Sequence, residues 1–158
     1  MTPFFQKGWP TSQHCLFGIA AGLFSGILLG SYLKAVQFLT EQRVYDLLLN
    51  VDFVPFLPTD MPEWIEFSFH LIVSLIIGIL YVAWTRTNHH PWRNGLWLGM
   101  LSSLLFFPLS LLSERVPSVT DGIALLWWLS GHLLYGIMLG ICGLFISRTK
   151  NPRHSYEN

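Results

Sequence analysis

The sequence of residues 15–36 is CLFGIAAGLFSGILLGSYLKAV, an apolar run of the length that crosses a lipid bilayer as one helix. Three more runs of this kind follow, at residues 64–84, 95–112 and 123–146. An α-helix rises about 1.5 Å per residue, so about 20 residues cover the ~30 Å hydrocarbon core. Lipid cannot hydrogen-bond to the backbone, so each run must be helical. The sequence therefore predicts an all-α, polytopic integral membrane four-helix bundle.

The composition supports a single transmembrane domain over residues 1–158. Hydrophobic residues make up 52% of the chain and charged residues only 11%, which is less than half of the ~25% usual in soluble domains. This composition excludes a water-soluble monomer, and the lipid bilayer is the expected partner. Since the chain contains no run of basic residues, we do not expect it to bind nucleic acid.

Small residues recur at four-residue spacing in all four runs. In the first run, Gly18, Gly22, Gly26 and Gly30 form one stripe along a helix face. Small faces let helix backbones approach closely, which is how helices associate in lipid. We expect these faces to pack helices within one chain, and the long first stripe leaves a homo-oligomer open as an alternative. The residues with this spacing in the other runs are Ser74, Gly78, Gly95, Gly99, Gly136 and Gly140.

Residues 40–58 are too charged to span a membrane and too apolar for a solvated loop. Val44, Leu47, Leu48 and Val51 follow helical spacing there. This pattern predicts a short interfacial helix in the first outer loop, with a loop packed over the bundle as the alternative. Aromatic residues predicted at the same outer interface are Tyr32, Trp64, Trp127 and Trp128.

Two histidines lie inside the apolar runs at comparable depth. At the helical rise, His70 is about 9 Å and His132 about 14 Å below the outer ends of their runs. Ionisable groups within a membrane face the bundle interior or a water-filled cavity. We therefore expect these two histidines to approach each other, or to share a polar partner, inside the bundle. The polar intramembrane candidates on these helix faces are Glu66, His70, Ser74, His132 and Tyr135.

Several functions are compatible with these residues. Both histidines can be neutral packing residues, or a pH-responsive pair in which Glu66 tunes His70. Two opposed histidines with glycines beside them also fit bis-histidine ligation of haem b in an electron-transfer subunit. The sequence contains no tight metal-ligand spacing and no catalytic motif, so we predict neither a metal site nor an enzyme.

The expected function is that of a small membrane protein without catalysis, which acts in envelope or pH homeostasis through a histidine-containing inner groove. No resident cofactor is expected for this function. The haem-binding subunit is the first alternative, and an oligomeric transporter of small solutes or ions is the second.

Four stretches of the last three runs carry a family resemblance. They are His70-Leu-Ile-Val-Ser74-Leu-Ile-Ile-Gly-Ile-Leu-Tyr81, Trp92-Arg-Asn-Gly95-Leu-Trp-Leu-Gly99, Phe107-Pro108-Leu109 and Gly131-His132-Leu133. Residues 64–146 thereby resemble the YagU-like family of small bacterial inner-membrane proteins, and they are similar to the YqhR-like membrane proteins of bacilli. The resemblance implies a bacterial inner-membrane location, and it implies no reaction.

The distribution of lysine and arginine predicts the orientation of the chain. If the spans alternate in direction, six of these nine residues lie on one side of the membrane and three on the other. The side richer in basic residues is cytoplasmic by the positive-inside rule, which places both termini and the 85–94 loop in the cytoplasm. The six residues are Lys7, Arg86, Arg93, Arg148, Lys150 and Arg153.

Reporter fusions test this orientation. A reporter active only in the periplasm should be inactive when fused after Asn158 and active when inserted within residues 52–60. A reporter active only in the cytoplasm, placed at the same two sites, is the control and should show the opposite pattern. Periplasmic activity at the C-terminus would contradict the prediction.

Overall fold

The computed structural model describes residues 12–51, 54 and 61–148, with side chains as far as residue 145. The regular secondary structure of the described residues is entirely α-helical, which confirms the predicted fold class, and four of the segments are long and apolar enough to cross a membrane. The chain is thus a multi-pass membrane protein. The helices are α1 (Ser12–Thr40), α2 (Val44–Leu49), α3 (Glu63–Asn88), α4 (Pro91–Ser103), α5 (Phe106–Leu111) and α6 (Gly122–Arg148), with α4 and α5 together forming the third span. The two termini to which the orientation prediction refers lie outside the described residues.

The four spans pack as two close pairs. Helix α1 packs along α3, helix α4 packs along α6, and the contact between α1 and α6 joins the pairs. Helix α3 has much less contact with α4 and with α6. The bundle is therefore tight within each pair and looser between α3 and α4.

Glycine allows the backbones of α1 and α3 to touch. A methyl carbon added at Gly22 would lie 2.5 Å from the carbonyl oxygen of Ser74, and one added at Gly18 would lie 2.8 Å from the Cα of Ile79. Gly26 and Gly30 face the side chains of Ser74 and Phe67 in the same way. The whole α1 stripe is therefore covered by α3 of the same chain.

The α4–α6 pair repeats this arrangement with glycines on both helices. A methyl carbon at Gly95 would lie 2.5 Å from the carbonyl oxygen of Gly136, and one at Gly99 would lie 2.5 Å from that of His132. Gly140 packs against the ring of Trp92. Large apolar side chains cover the opposite faces of the helices, as expected for surfaces that meet lipid.

A buried amide network fastens the short connection between α3 and α4. The side chain of Asn94 is fully buried, and its Nδ2 donates to Oγ1 of Thr85 at 3.0 Å and to Oδ1 of Asn88 at 2.7 Å. Nδ2 of Asn88 donates back to Oδ1 of Asn94 at 3.0 Å. His89 ends α3 in the left-handed conformation, with φ 56°. This network holds α3 and α4 together at one end of the bundle.

The third span is interrupted near its other end, between α4 and α5. The amides of Leu104 and Leu105 bond to carbonyls only three residues back, at 3.2 and 3.1 Å. Pro108 explains the break, because proline has no N–H for the carbonyl of Leu104 and its ring clashes with that carbonyl in a regular helix. Residues 104–105 therefore form a tighter turn with i→i−3 hydrogen bonds, and the α-helix resumes after them as α5.

The short helix predicted in the first outer loop is α2, and it is tied to the bundle. Two amides of its first turn, those of Tyr45 and Asp46, donate to Oε1 of Gln37 on α1 at 2.9 and 3.1 Å. The hydroxyl of Tyr45 donates to Glu63 at the start of α3 at 2.8 Å. Burial, and secondly this bond to the carboxylate, raises the pKa of Tyr45 above its usual range, so the phenol stays protonated. Val44 is fully buried, so α2 packs into the bundle. Residues 52–53 and 55–58 of this loop lie outside the described residues.

Two glycine-to-alanine variants test the close packing of α1 on α3. The change Gly22→Ala should destabilise the protein by about 1–3 kcal/mol, because its methyl group overlaps the α3 backbone. Gly122→Ala is the matched control, since a methyl group there meets nothing within 4 Å, and it should change stability by less than about 0.5 kcal/mol. Unfolding in mixed micelles measures both. Equal stability of the two variants would contradict the contact.

Candidate functional site

A cavity of about 420 Å³ lies between the two helix pairs, in the space that α3 and α4 leave open. Its volume is within the 300–1,000 Å³ usual for small-molecule sites. Its walls come from all four spans, and the segment after α2 covers one end. Among the lining residues are Leu29 of α1; Leu48 of α2; Phe69, His70, Val73, Ser74 and Ile77 of α3; Ser102, Leu105 and Leu109 of the third span; Trp128, His132 and Tyr135 of α6; and Asn50, Val51 and Val54 of the cover.

The cavity opens sideways, between α3 and the break in the third span. Ile72 on α3 is 53% exposed and Leu105 at the break is 44% exposed, and both line the cavity. Since both belong to the apolar stretches of candidate spans, the opening faces the region that lipid chains would occupy. The mouth is therefore lateral.

His132 lies on the α6 wall of the cavity, and its hydrogen bond fixes its tautomer. The residue is 3% exposed, and its Nδ1 lies 2.9 Å from the carbonyl oxygen of Trp128. A carbonyl only accepts hydrogen bonds, so Nδ1 carries the proton and Nε2 of the neutral ring is an acceptor. The imidazole also packs on the Trp128 ring, with 4.3 Å between ring centroids.

His70 lies on the α3 wall and bonds across the helix pair. Its Nε2 is 3.0 Å from the carbonyl oxygen of Gly26 on α1, so in this ring Nε2 carries the proton. The absence of a side chain at Gly26 is what brings this carbonyl within reach of α3. The structure thus brings His70 and His132 to one cavity, and their hydrogen bonds go to two different carbonyls.

Ser74 and Tyr135 link the two sides of the cavity. Oγ of Ser74 donates to the carbonyl oxygen of Gly22 at 2.7 Å, and it lies 3.1 Å from the hydroxyl of Tyr135. The Tyr135 hydroxyl also lies 3.4 Å from the carbonyl oxygen of Ser74. Because both side chains are buried, these contacts connect α1, α3 and α6 at the depth of the cavity.

Glu66 lies outside this cavity. It lines a smaller polar pocket of about 210 Å³ at the α2 end of the bundle, together with Arg43 and Arg115. One helical turn separates Glu66 from His70, yet the carboxylate and the imidazole line different spaces. The hydrogen bond of His70 goes to Gly26, and no contact between His70 and Glu66 is found among the described residues. The predicted tuning of His70 by Glu66 therefore lacks a direct contact to support it.

Among the lining residues that sequence reasoning missed are two, Trp128 and Asn50, whose side chains donate hydrogen bonds across the bundle. Trp128 was assigned to the membrane interface, but it is 1% exposed, and its indole Nε1 donates to the carbonyl oxygen of Ser103 at 2.9 Å. A signal for it exists in the sequence, because Trp128 lies four residues before His132 and seven before Tyr135, on the same helix face. Asn50, which covers the cavity and donates to the carbonyl oxygen of Leu109 at 3.1 Å, gave no signal of this kind.

The described residues contain no group of three or more histidine, cysteine, aspartate or glutamate side chains that could hold a metal ion. Comparisons with protein-family models, with curated proteins and with solved structures find no match to this chain. The resemblance to YagU-like and YqhR-like proteins therefore stays a prediction from the sequence.

A double-mutant cycle tests the contact between Ser74 and Tyr135. The changes Ser74→Ala and Tyr135→Phe should show a coupling energy of about 0.6 kcal/mol in unfolding, the average for hydrogen bonds between membrane helices. The control cycle pairs Tyr135→Phe with Ser102→Ala, because Ser102 lines the same cavity but donates to its own helix at Leu98. Its coupling should be near zero, and equal couplings in the two cycles would contradict the network.

Proposed function

We propose that this chain is a non-catalytic binding protein of a bacterial inner membrane, which takes an apolar molecule from the bilayer into the cavity between α3 and α4. The observation that carries the proposal is the 420 Å³ cavity itself. It has a mostly apolar wall, a lateral mouth and a few polar side chains inside, those of His70, Ser74, His132 and Tyr135. Ligand sites for small molecules commonly combine these features.

Packing supports an apolar occupant. An apolar molecule in the cavity gains dispersion contacts with the apolar side chains that line it. Leu29, Val73 and Ile77 offer such a surface. An occupant that comes from the bilayer reaches it through the mouth beside Ile72 and Leu105 without crossing a polar region.

Binding without catalysis agrees with the hydrogen bonds of the site. A serine nucleophile needs a base within hydrogen-bond reach of its hydroxyl. The Ser74 hydroxyl instead donates to the backbone of Gly22, and the protonated nitrogens of the two histidines face carbonyl oxygens. The polar groups therefore serve helix contact, and Nε2 of His132 serves as an acceptor for a ligand.

Haem binding is the second candidate, and one observation favours it. A histidine that ligates a metal usually donates its other ring N–H to a backbone carbonyl, and His132 does so through Nδ1, which leaves Nε2 for iron. His70 fits less well, because its Nε2 proton is directed at Gly26, so it would have to ligate through Nδ1 or leave its partner.

The proposed orientation follows from the positive-inside rule, with both termini in the cytoplasm. The cavity cover and α2 then lie in the outer half of the membrane, which suits a role in envelope homeostasis. The glycine stripe of α1 does not support the alternative of a homo-oligomer, because α3 of the same chain covers it. The bilayer is thus the partner we propose.

A cavity-filling variant tests the proposed function. Native mass spectrometry of the full chain released from lipid nanodiscs should find about one retained lipid-like molecule per protein. Ser102→Phe places a ring in the cavity and should lower retention at least tenfold. Leu101→Phe is the matched control, because Leu101 is the neighbouring residue and faces outward, so retention should equal that of the unaltered chain.

Two outcomes would contradict the proposal. One is equal retention in the unaltered chain and in both variants, which would mean that the molecule binds elsewhere. The other is a Soret band in the purified protein that disappears in His132→Ala, which would replace the apolar molecule with haem.

A further inference from the structure

The polar pocket at the α2 end adjoins the apolar cavity. Asn50 lines both spaces, and it is buried between them. Along α3, Glu66 of the pocket and His70 of the cavity wall are one turn apart, or about 6 Å. The two spaces therefore stand one above the other along the direction in which a lipid lies in a membrane.

The pocket carries charges of both signs. Two guanidinium groups, those of Arg43 and Arg115, line it together with the carboxylates of Asp46 and Glu66. Nε of Arg43 lies 3.0 Å from Oδ2 of Asp46, and both side chains are substantially exposed. An exposed ion pair contributes little to stability, so Arg43 and Asp46 can exchange this contact for one with a charged ligand.

We propose that the two spaces form one binding site for a zwitterionic glycerophospholipid with an ethanolamine head group. This inference rests on the proposed function and names its ligand. The phosphate binds Arg43 and Arg115, the primary ammonium binds Glu66, and one acyl chain fills the apolar cavity. The second chain stays in the bilayer, outside the lateral mouth.

The charges of the pocket select this head group. Arginine is the side chain best suited to phosphate, because its planar fork donates two parallel hydrogen bonds. A purely anionic head group would place its phosphate beside Asp46 and Glu66 with no cation of its own to offset them. A choline head group carries its positive charge without an N–H to donate to a carboxylate. An ethanolamine head group satisfies both kinds of side chain.

Competition among lipids of matched acyl chains tests the inference on the full chain in nanodiscs. With ethanolamine, glycerol and choline phospholipids supplied in equal amounts, native mass spectrometry should find the ethanolamine lipid retained at least tenfold over the other two. Glu66→Gln should remove the preference over the glycerol lipid. Arg115→Gln should lower retention of all three lipids, and Arg43→Gln is a second variant with the same expected effect. Arg93→Gln is the control, since Arg93 lies at the opposite end of the bundle.

The outcomes separate this inference from the proposed function. If lipid is retained without preference for a head group, and the Arg115 and Glu66 variants behave like Arg93→Gln, the head-group assignment is wrong and the apolar binding site stands. If the glycerol lipid is preferred, the pocket is an anion site and the assignment is wrong. If no lipid is retained in the unaltered chain, the proposed function fails as well.

Discussion

Contact between helix backbones at glycine holds this bundle together. In lipid, helices are not driven together by the exclusion of water, so close packing must hold them. Gly22 on α1 and Gly136 on α6 mark the two interfaces where one helix backbone lies directly on another. These contacts bury the small faces of α1 and of α4. As a result, α3 and α4 make little contact with each other. The cavity is the space that follows from this pairing.

The same glycines decide how the polar side chains are satisfied. A hydroxyl or imidazole within a membrane is costly unless it is hydrogen-bonded. Ser74 and His70 on α3 find carbonyl oxygens at Gly22 and Gly26 because no side chains stand between the two helices there. The close approach of α1 and α3 therefore packs the two helices and also provides the hydrogen bonds that these polar side chains need. A larger residue in the stripe would displace the cavity wall as well as the helix.

The sequence was sufficient for the four spans, because a run of about 20 apolar residues has one stable conformation in lipid. It also identified the small faces and the two histidines that share a cavity. It was insufficient for Trp128, because an aromatic ring near the end of a span suits the membrane interface and the bundle interior equally well. The choice depends on which helix covers that face, and the periodicity of a single helix does not contain this information. For the same reason Glu66 could not be assigned to the polar pocket from its spacing to His70.

The third span has unequal ends, and this inequality affects how the molecule responds to its surroundings. The amide network of Asn88 and Asn94 fixes α4 to α3 at one end, whereas the break at Leu104 and Leu105 lacks regular helical hydrogen bonds. A bending force applied to this span is therefore absorbed at the break, beside the cavity mouth. Because Leu105 lies at this break and lines the cavity, bending there would change the shape of the cavity wall.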